Sequence, residues 1–450
     1  MWTFLDHIII YILPLFLGAA FLIIRWYRCT PQTTTKKLPP SPPTLPIIGN
    51  LHQLGALVHH SFFSLAKRYG DSLMLLHIGS VPSLVVSSTE AAREIMKTHD
   101  LAFASRPTTR MFRAISYNLK EITVAPYGEY WRQAKSILTL QLLSNKKVQS
   151  FDAMRETIIA DCLSKITQSF SSNNPADLSD LFSSLTNDIT CMATFGKTYN
   201  EGEIGKKFKK IMQEFSEVLG SFYFEDSIPQ LAVVDRLTVG EDAPVETFID
   251  ALLKIQKEDT LGITIDTDVI KALLLDAYVA GTDTSSSVLE WAMTELLLHR
   301  DCLEKVQDEI RTVLNGRKDI TDDDVDRMKY LKCVIMEATR LHPPLPVLPP
   351  RVARHDAKVM GYDIAEGTRV YVNVYAIMRD PKVWDEAETF MPERIFAMAI
   401  NEKVLANVLY RFDWALPQGV KAEDVDMNET FGLANHRKVP LLAVGKPFSP

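Results

Sequence analysis

Apolar residues dominate the stretch from Val269 to His299, and a run of this length predicts a long buried helix. The pattern is helical over most of the chain. Two short groups of alternating or continuous apolar residues differ from it: Leu73 to Val86, around Gly79-Ser80, and Val359 to Tyr375, around Glu366-Gly367. Each group predicts a hairpin of two strands. The sequence therefore predicts a mainly α body with minor β structure.

A second apolar helix precedes Pro343 and carries Glu337 and Arg340. Residues three apart lie on one face of a helix, so these two charges are expected to pair. Because the flanking residues are apolar, we expect the pair to be buried and structural, since a buried charge must be paired and hydrogen-bonded. The alternative is an ordinary ion pair on a solvated surface. Upstream, Thr321-Asp322-Asp323-Asp324 resembles a capping box before this helix.

Asp283 and Thr284 stand within the long helix, between Gly281 and three successive serines. Such residues are unfavourable in a helix interior, and hydroxyls that bond the carbonyl four residues earlier bend the helix into a polar-lined groove. An acid beside an alcohol at this place can hold a water molecule and pass protons to a bound group. The alternative is close helix packing through small residues.

The amino-terminal run from Ile8 to Ile24 is apolar and uncharged, and aromatic residues flank it. This pattern predicts a membrane anchor. A cleaved secretory signal is the alternative, but Asp6 precedes the run whereas Arg25 and further cations follow it, which keeps the body cytosolic. The prolines that follow predict an extended spacer. We therefore divide the chain into an anchor with its basic flank (1–37), a proline-rich hinge (38–50) and a body (51–450).

The composition limits the classes of partner that this chain is expected to bind. The chain has 450 residues and a net charge of −7, which opposes nucleic-acid binding. Lys146 and Lys147, with Arg132 and Lys135, form either a local basic face for an acidic redox partner or a solvated helix face. The five cysteines are odd in number and scattered, so they fit a reducing cytosol and predict no disulfide framework.

Taken in order, these motifs resemble the cytochrome P-450 superfamily of heme-thiolate monooxygenases, most similar to the plant microsomal branch. Further motifs that carry the resemblance are Leu38–Pro43 with Pro46–Asn50, Phe103–Pro107, Tyr127–Arg132, Leu348–Arg351, Ala376–Pro381 and Pro392–Arg394. The resemblance implies a heme cofactor, an NADPH-dependent flavoprotein reductase and a small hydrophobic secondary metabolite as substrate. It also implies a single-pass protein of the endoplasmic reticulum membrane, in contact with lipid and with its body facing the cytosol.

The resemblance assigns roles to single residues. Glu337 and Arg340 would form a charge network with Arg394, and Asp283 and Thr284 would deliver protons to dioxygen on the iron. The residues expected to face the heme propionates are Trp131, Lys135 and Arg351. Relatives often carry Arg at the position of Lys135, so a bidentate contact becomes a point-charge contact.

One part of the family pattern is absent from the sequence. A loop of the form F-x-x-G-x-R-x-C-x-G, whose cysteine binds the iron, is expected after Arg394, but the chain continues directly into Ile395–Ile400. All cysteines lie upstream of this junction: Cys29, Cys162, Cys191, Cys302 and Cys333. Cys333 fits a small core residue better than an iron ligand. His342 and His436 are chemically able to bind iron, but His342 fits a helix end before proline better.

A second shortening is expected between residues 232 and 250, where relatives have a longer connection between two helices. No other group in the chain replaces the electron donation of a thiolate to iron. Two hypotheses follow. The chain is an incomplete version of a monooxygenase and is inactive as written, or it is a heme-free protein, either a membrane-tethered interaction protein or a non-functional truncated isoform.

Overall fold

A computed structural model describes residues 18, 36–172, 174–199, 210, 214–216, 248–258, 265–394, 402–430 and 432–448. Helices dominate these residues and the strands are short, which confirms the predicted mainly α body with minor β structure. The helices are α1 Val58–Tyr69, α2 Thr89–Arg93, α3 Arg110–Ile115, α4 Glu129–Gln141, α5 Asn145–Ser150, α6 Asp152–Ser171, α7 Leu178–Phe195, α8 Phe248–Glu258, α9 Thr267–Leu298, α10 Arg300–Leu314, α11 Asp322–Arg327, α12 Lys329–Leu341, α13 Val374–Ile377 and α14 Glu402–Arg411. The strands are β1 Leu73–Ile78, β2 Val81–Val86, β3 Ala176–Asp177, β4 Arg351–Val352, β5 Ala357–Val359, β6 Tyr362–Ile364, β7 Arg369–Val372, β8 Phe412–Ala415 and β9 Leu442–Pro447.

The described residues fall into two compact units. The first comprises those of Met1–Ala104 and Pro350–Val372, and the second comprises those of Ser105–Phe222, Val234–Pro349 and Asn373–Pro450. The first unit contains a four-stranded sheet in the order β1-β2-β7-β4. Strands β1 and β2 pair antiparallel around Gly79, whose φ of 62° suits a tight turn, so the hairpin predicted there is confirmed.

The hairpin predicted around Glu366-Gly367 is wrong. The paired strands are β5 and β6, which turn at Met360-Gly361, whereas β7 leaves this pair and runs parallel to β2. Gly361 and Gly367 both lie in turns with positive φ, so the presence of a glycine does not show which of the two turns joins paired strands. The Gly367 N–H donates to the Ala353 carbonyl instead of closing a hairpin turn, which directs β7 into the larger sheet.

The second unit is built around α9, whose buried side chains pack against α7 and α12. Asp266 caps the amino terminus of α9, because its carboxylate accepts from the Val269 N–H at 2.8 Å, and the helix ends at Leu298. These bounds confirm the long helix predicted from the apolar run. Trp291 on α9 and Trp414 on β8 are among the largest fully buried side chains of the unit.

The capping box predicted at Thr321–Asp324 is present, and the Thr321 side chain accepts from the Asp324 N–H. It begins the short helix α11, which ends at Arg327 and is separated from α12 by Met328. The expectation that this box begins the helix carrying Glu337 is therefore corrected: a break intervenes, because Met328 adopts a non-helical conformation with φ −81° and ψ 80°.

Several sequence-based expectations fall outside the described residues. The expected anchor from Ile8 to Ile24 lies there apart from Gly18, as do the junction that follows Arg394 and most of the shortening expected at 232–250. Within the ranges that the structure describes, no helix is both long enough and apolar enough to cross a bilayer.

Candidate functional site

Glu337 and Arg340 form a buried, bidentate ion pair on α12. Arg340 Nε donates to Glu337 Oε2 at 2.7 Å, and its Nη2 donates to Oε1 at 2.9 Å. The side chains are 0% and 2% exposed, respectively. Two parallel charge-assisted bonds fix the guanidinium in one plane, which a surface pair does not require. The structural interpretation of this motif is confirmed, and the surface alternative is wrong.

Backbone groups complete this network. Arg340 donates to the carbonyls of Met378, Ala387 and Thr389, and Glu337 Oε1 accepts from the Met391 N–H at 2.9 Å. The pair therefore fastens residues 378–391 to α12. Arg394, the expected third member, lies in the short turn Pro392–Arg394, and its side chain is outside the described part of the structure. Carbonyl partners leave no residue-type signal in a sequence, so sequence reasoning could not find them.

Asp283 faces a histidine from the carboxyl-terminal segment. Its Oδ1 lies 3.2 Å from His436 Nε2, and its Oδ2 accepts from the Ser216 hydroxyl at 2.6 Å. Burial opposes the ionisation of Asp283, but the hydrogen bond and charge of His436, with the bond from Ser216, hold its pKa below the usual value. Asp283 is therefore a carboxylate at neutral pH, and the proton at this site resides on His436.

Thr284 and Gly281 each fit a different one of the two sequence-based interpretations of the mid-helix motif. The Thr284 hydroxyl donates to the Ala280 carbonyl at 2.6 Å, which is the expected bond to the residue four positions earlier. At Gly281 a Cβ would lie 3.1 Å from Thr190 Oγ1 on α7, so the glycine permits close contact of the two helices. The packing alternative therefore holds at Gly281, while Asp283 has polar partners of its own.

The residues expected at the heme propionates have protein partners in this structure. Trp131 Nε1 donates to the Ile122 carbonyl at 3.0 Å, and the Lys135 ammonium lies 4.8 Å from the centre of the Trp131 ring. Arg351 belongs to the first unit, where its Nη1 lies 3.0 Å from Asp100 Oδ1. Trp131 and Lys135 are thus brought together on α4, and their assignment to propionates stays a prediction.

Two buried acids near Trp131 escaped the sequence analysis. Asp276 on α9 accepts from the Ile122 N–H at 2.6 Å and from the Thr123 hydroxyl at 2.8 Å. Burial raises the pKa of Asp276 to about 6, although these bonds partly oppose the rise. Burial and the charge of Asp276 raise the pKa of Glu121 to about 9. The available signal was an aspartate inside the apolar run of α9, two helical turns before Asp283.

The described cysteines do not fit the iron-ligand role that a heme-thiolate site requires. Burial raises the pKa of Cys162 and Cys191 to about 12, and it also raises the pKa of Cys302 and Cys333. Cys162 and Cys302 belong to the packed core of the second unit, where they are 5% and 7% exposed, which is the environment of a structural thiol. Cys333 is half-buried on α12, as its interpretation as a packing residue requires.

The two candidate histidines are also engaged. His342 Nε2 lies 2.6 Å from Glu295 Oε1, and His436 contacts carboxylates through both ring nitrogens. The expectation that His342 ends a helix before proline is confirmed, because α12 stops at Leu341. Among the residues that the structure describes, the donor set therefore does not fit a thiolate-bound heme.

Comparison with protein families gives one match that covers most of the chain. The family model described as Cytochrome P450 matches residues 39–235 and 223–395. The match ends at residue 395, next to the junction at which the cysteine loop was expected, and its two parts overlap at residues 223–235, near the expected shortening after residue 232.

Individual relatives agree with this match. Cytochrome P450 736A117 of Prunus mume is 43% identical over 507 residues, covering 99% of this chain and 97% of the relative. Tabersonine/lochnericine 19-hydroxylase of Catharanthus roseus is 41% identical, covering 99% of each. Both alignments are longer than the 450 residues of this chain, so they contain positions of the relative with no counterpart here. A zebrafish cytochrome P450 solved with abiraterone has the same fold, with a TM-score of 0.69, 24% identity, and coverage of 87% of this chain and 99% of that one.

Proposed function

Because this chain belongs to the cytochrome P450 family of heme-dependent monooxygenases, we propose that its lineage oxidises a small hydrophobic plant secondary metabolite, while the chain as written does not. The groups of the chain that are able to bind iron support the second part of the proposal, which is that the chain as written does not oxidise a substrate. In this family a cysteine thiolate pushes electron density onto the heme iron and favours cleavage of the O–O bond. The described cysteines are buried or half-buried residues of helices, and no cysteine follows Arg394, where the ligand loop is expected.

The substrate class rests on the relatives. Their names include a tabersonine/lochnericine hydroxylase and a norfluorocurarine oxidase, which are enzymes named for small plant metabolites. The identity of about 40% supports the class of substrate and no single compound. Under this proposal the electrons come from an NADPH-dependent flavoprotein reductase, and the basic residues Arg132, Lys135, Lys146 and Lys147 form the face that an acidic partner would contact.

The amino-terminal sequence supports a location at the endoplasmic reticulum membrane. The apolar run from Ile8 to Ile24 is followed by Arg25 and further cations, which favours a single-pass anchor with its body in the cytosol. The prolines of residues 38–50 would then separate this anchor from the body at 51–450. Such a tether holds the body beside the lipid phase, where apolar substrates concentrate.

A heme-free, membrane-tethered interaction protein or a truncated isoform is the second candidate, and the packing of the residues after the junction favours a folded form of it. Leu405 and Leu409 on α14 and Trp414 on β8 are at most 1% exposed and belong to the same core cluster as α9 and α12. The carboxyl-terminal part thus completes the core of the second unit without the expected loop. Burying such side chains contributes roughly 1.5–3 kcal/mol each to the stability of a folded body.

Restoring the loop tests this proposal. We would insert a segment of the form F-x-x-G-x-R-x-C-x-G after Arg394 and measure bound heme per chain in the purified protein. The matched control carries the same insertion with alanine in place of its cysteine, and a third variant changes Cys333→Ser without any insertion.

Heme loading and a thiolate-type spectrum are expected only from the insertion that contains the cysteine. Equal heme loading in the original chain and the restored chain would contradict the proposal. A loss of heme through Cys333→Ser would contradict it as well, since it would identify a ligand within the present chain.

A further inference from the structure

The second unit has a pocket of about 610 Å³ between the carboxyl-terminal end of α6, the strand pair β8–β9 and the first residue of α10. Small-molecule sites in proteins have volumes of about 300–1,000 Å³, so this pocket is large enough for a ligand. The residues that line it do not include any of those expected at the heme or in proton delivery. We call it the α6–β9 pocket, and its chemistry depends on the lining residues Phe170, Ser171, Arg300, Asp413, Trp414 and Lys446.

The floor of the pocket is aromatic and already packed. Phe170 and Trp414 meet edge to face, with ring centroids 5.6 Å apart, and Phe412 lies 5.4 Å from each of them. The Trp414 Nε1 donates to the Val408 carbonyl at 2.9 Å, so the indole presents only apolar surface to the pocket. Because these rings are held by one another, little side-chain freedom is lost when a flat apolar ligand lies on them.

A glycine on β9 keeps Phe170 in this floor. Gly445 pairs with Trp414 in the strand register, and a Cβ at this position would lie 2.9 Å from Phe170 Cε2. Any side chain here would displace the ring, so the glycine permits the close approach of β9 to α6.

The wall formed by α6 contributes no hydroxyl donor to a ligand. The Thr167 hydroxyl donates to the Leu163 carbonyl at 2.8 Å, and the Ser171 hydroxyl donates to the Thr167 carbonyl at 2.9 Å. The two oxygens are still able to accept a hydrogen bond, but an anion has no proton to donate to them. Recognition of an anion in this pocket therefore depends on its cations.

Two cations lie at the rim of the pocket. Arg300 Nη1 donates to the Trp414 carbonyl at 2.7 Å and its Nε donates to Glu304 Oε1 at 3.0 Å, which orients the guanidinium. Lys446 is exposed, and its ammonium forms neither a hydrogen bond nor an ion pair with any residue that the structure describes. Because Glu304 offsets part of the charge of Arg300, we expect Lys446 to be the stronger anion contact.

Asp413, the one acid among the lining residues, is already paired. Its Oδ1 lies 2.5 Å from Arg311 Nη2, and the Arg311 guanidinium lies 3.7 Å from the centre of the Phe448 ring. Although Asp413 stands opposite Lys446 in the strand register, its ion-pair partner is Arg311. The rim therefore offers positive charge to a ligand.

We propose that the α6–β9 pocket binds a small aromatic carboxylate, with its ring on Phe170 and Trp414 and its carboxylate at Lys446 and Arg300. The apolar floor and the cationic rim match the two ends of such a molecule. A neutral aromatic compound would leave the cations unused, and an inorganic anion would leave the aromatic floor uncovered. The site shares no residue with the expected heme site, so the inference goes beyond the proposed function and does not rest on it.

Binding of naphthalene-2-carboxylate to the purified full chain tests the proposal, with isothermal titration calorimetry as the measurement. Naphthalene-2-carboxamide, which has the same ring and no charge, is the matched ligand. We expect saturable binding of the carboxylate with a Kd below about 1 mM, and binding of the amide at least about fivefold weaker. No saturable binding of the carboxylate, or equal binding of the two compounds, would overturn the proposal.

A charge reversal tests the rim. Lys446→Glu should weaken binding of the carboxylate at least about fivefold, because it replaces an attraction by a repulsion. The matched control is Lys438→Glu, at an exposed lysine that does not line the pocket, and its effect should be less than about twofold. Equal effects of the two variants would contradict the proposal, since they would show a response to net charge alone.

A blocking variant tests the location. Ser171 and Ser172 are both exposed and both bond the carbonyl four residues earlier, but only Ser171 lines the pocket. Ser171→Trp should therefore abolish binding, whereas Ser172→Trp should retain it. Binding that persists in Ser171→Trp would contradict the proposal by locating the ligand elsewhere. None of these titrations depends on heme, so the pocket and the proposed function fail separately.

Discussion

The imidazole of His342 lies flat on the indole of Trp291, with the ring centroids 3.8 Å apart and the planes 1° from parallel. His342 directly follows the last residue of α12, and Trp291 lies on α9, so the stack joins the two central helices of the second unit. The same imidazole contacts Glu295 through Nε2 at 2.6 Å. This side chain therefore has a structural role.

Replacing His342 should lower the free energy of unfolding. His342→Ala removes a ring stack and a hydrogen bond to a carboxylate, and together these contribute roughly 2–3 kcal/mol. Urea unfolding of the two proteins at the same pH measures the difference. The exposed His355→Ala should stay within about 0.5 kcal/mol of the wild type, and an equal loss in both variants would contradict the structural role.

The buried pair on α12 should be far more sensitive than a surface pair of the same spacing. Glu337→Gln leaves the Arg340 charge buried without its partner, so we expect a loss of about 3–5 kcal/mol or failure to fold. The matched control is Glu129→Gln, which removes the i,i+3 partner of Arg132. The side chains of Glu129 and Arg132 are 71% and 52% exposed.

The control change should alter the free energy of unfolding by less than about 0.5 kcal/mol. Thermal and urea unfolding of both variants measure the contrast. Arg340→Lys should also destabilise the protein, because lysine cannot make the planar bidentate contact or reach the three carbonyls at once. Equal tolerance of Glu337→Gln and Glu129→Gln would contradict the burial of the network.

The buried acids near Trp131 should make the protein less stable as the pH rises. The folded-state pKa of Glu121 is about 9 against an ordinary value of 4.5, so the folded chain holds a proton that the unfolded chain has released. Stability therefore falls as pH rises from the unfolded towards the folded pKa, by on the order of 2 kcal/mol between about pH 5 and pH 7. Glu121→Gln should flatten this dependence in urea unfolding, and an unchanged slope would contradict it.

The contacts of His436 with Asp283 and Glu290 predict a second pH dependence of the stability, at higher pH. The folded-state pKa of His436 is about 9 against an ordinary 6.5, so its contribution is complete below about pH 6.5 and is lost as pH rises through the folded value. The stability difference between the wild type and His436→Phe should therefore shrink by on the order of 3 kcal/mol between about pH 6 and pH 9. A difference that is constant over this range would show that His436 is neutral in the folded protein.

The sequence predicted the features that depend on periodicity and on local spacing. The apolar run gave the long helix that became Thr267–Leu298, Gly79 gave the first hairpin, and the spacing of Glu337 and Arg340 gave a buried pair. Each follows from geometry within a few residues of the chain.

Features that depend on distant partners were not predictable in the same way. The Met378 and Ala387 carbonyls on Arg340 have no sequence signature, and His436 lies more than a hundred residues after Asp283. Gly361 and Gly367 have similar backbone angles, so alternation could not tell which of them turns a paired hairpin. The strand after Gly367, β7, pairs with β2 in the larger sheet and therefore does not pair with β6.

The reduced carbon monoxide difference spectrum of the purified, full-length chain, expressed with heme supplied, tests the central claim most directly. We predict no Soret band of the thiolate type, because the described cysteines are buried or half-buried residues of helices and no cysteine follows Arg394, where the ligand loop is expected. A stoichiometric thiolate-type band from this same chain would contradict the account, since it would show a cysteine bound to heme iron.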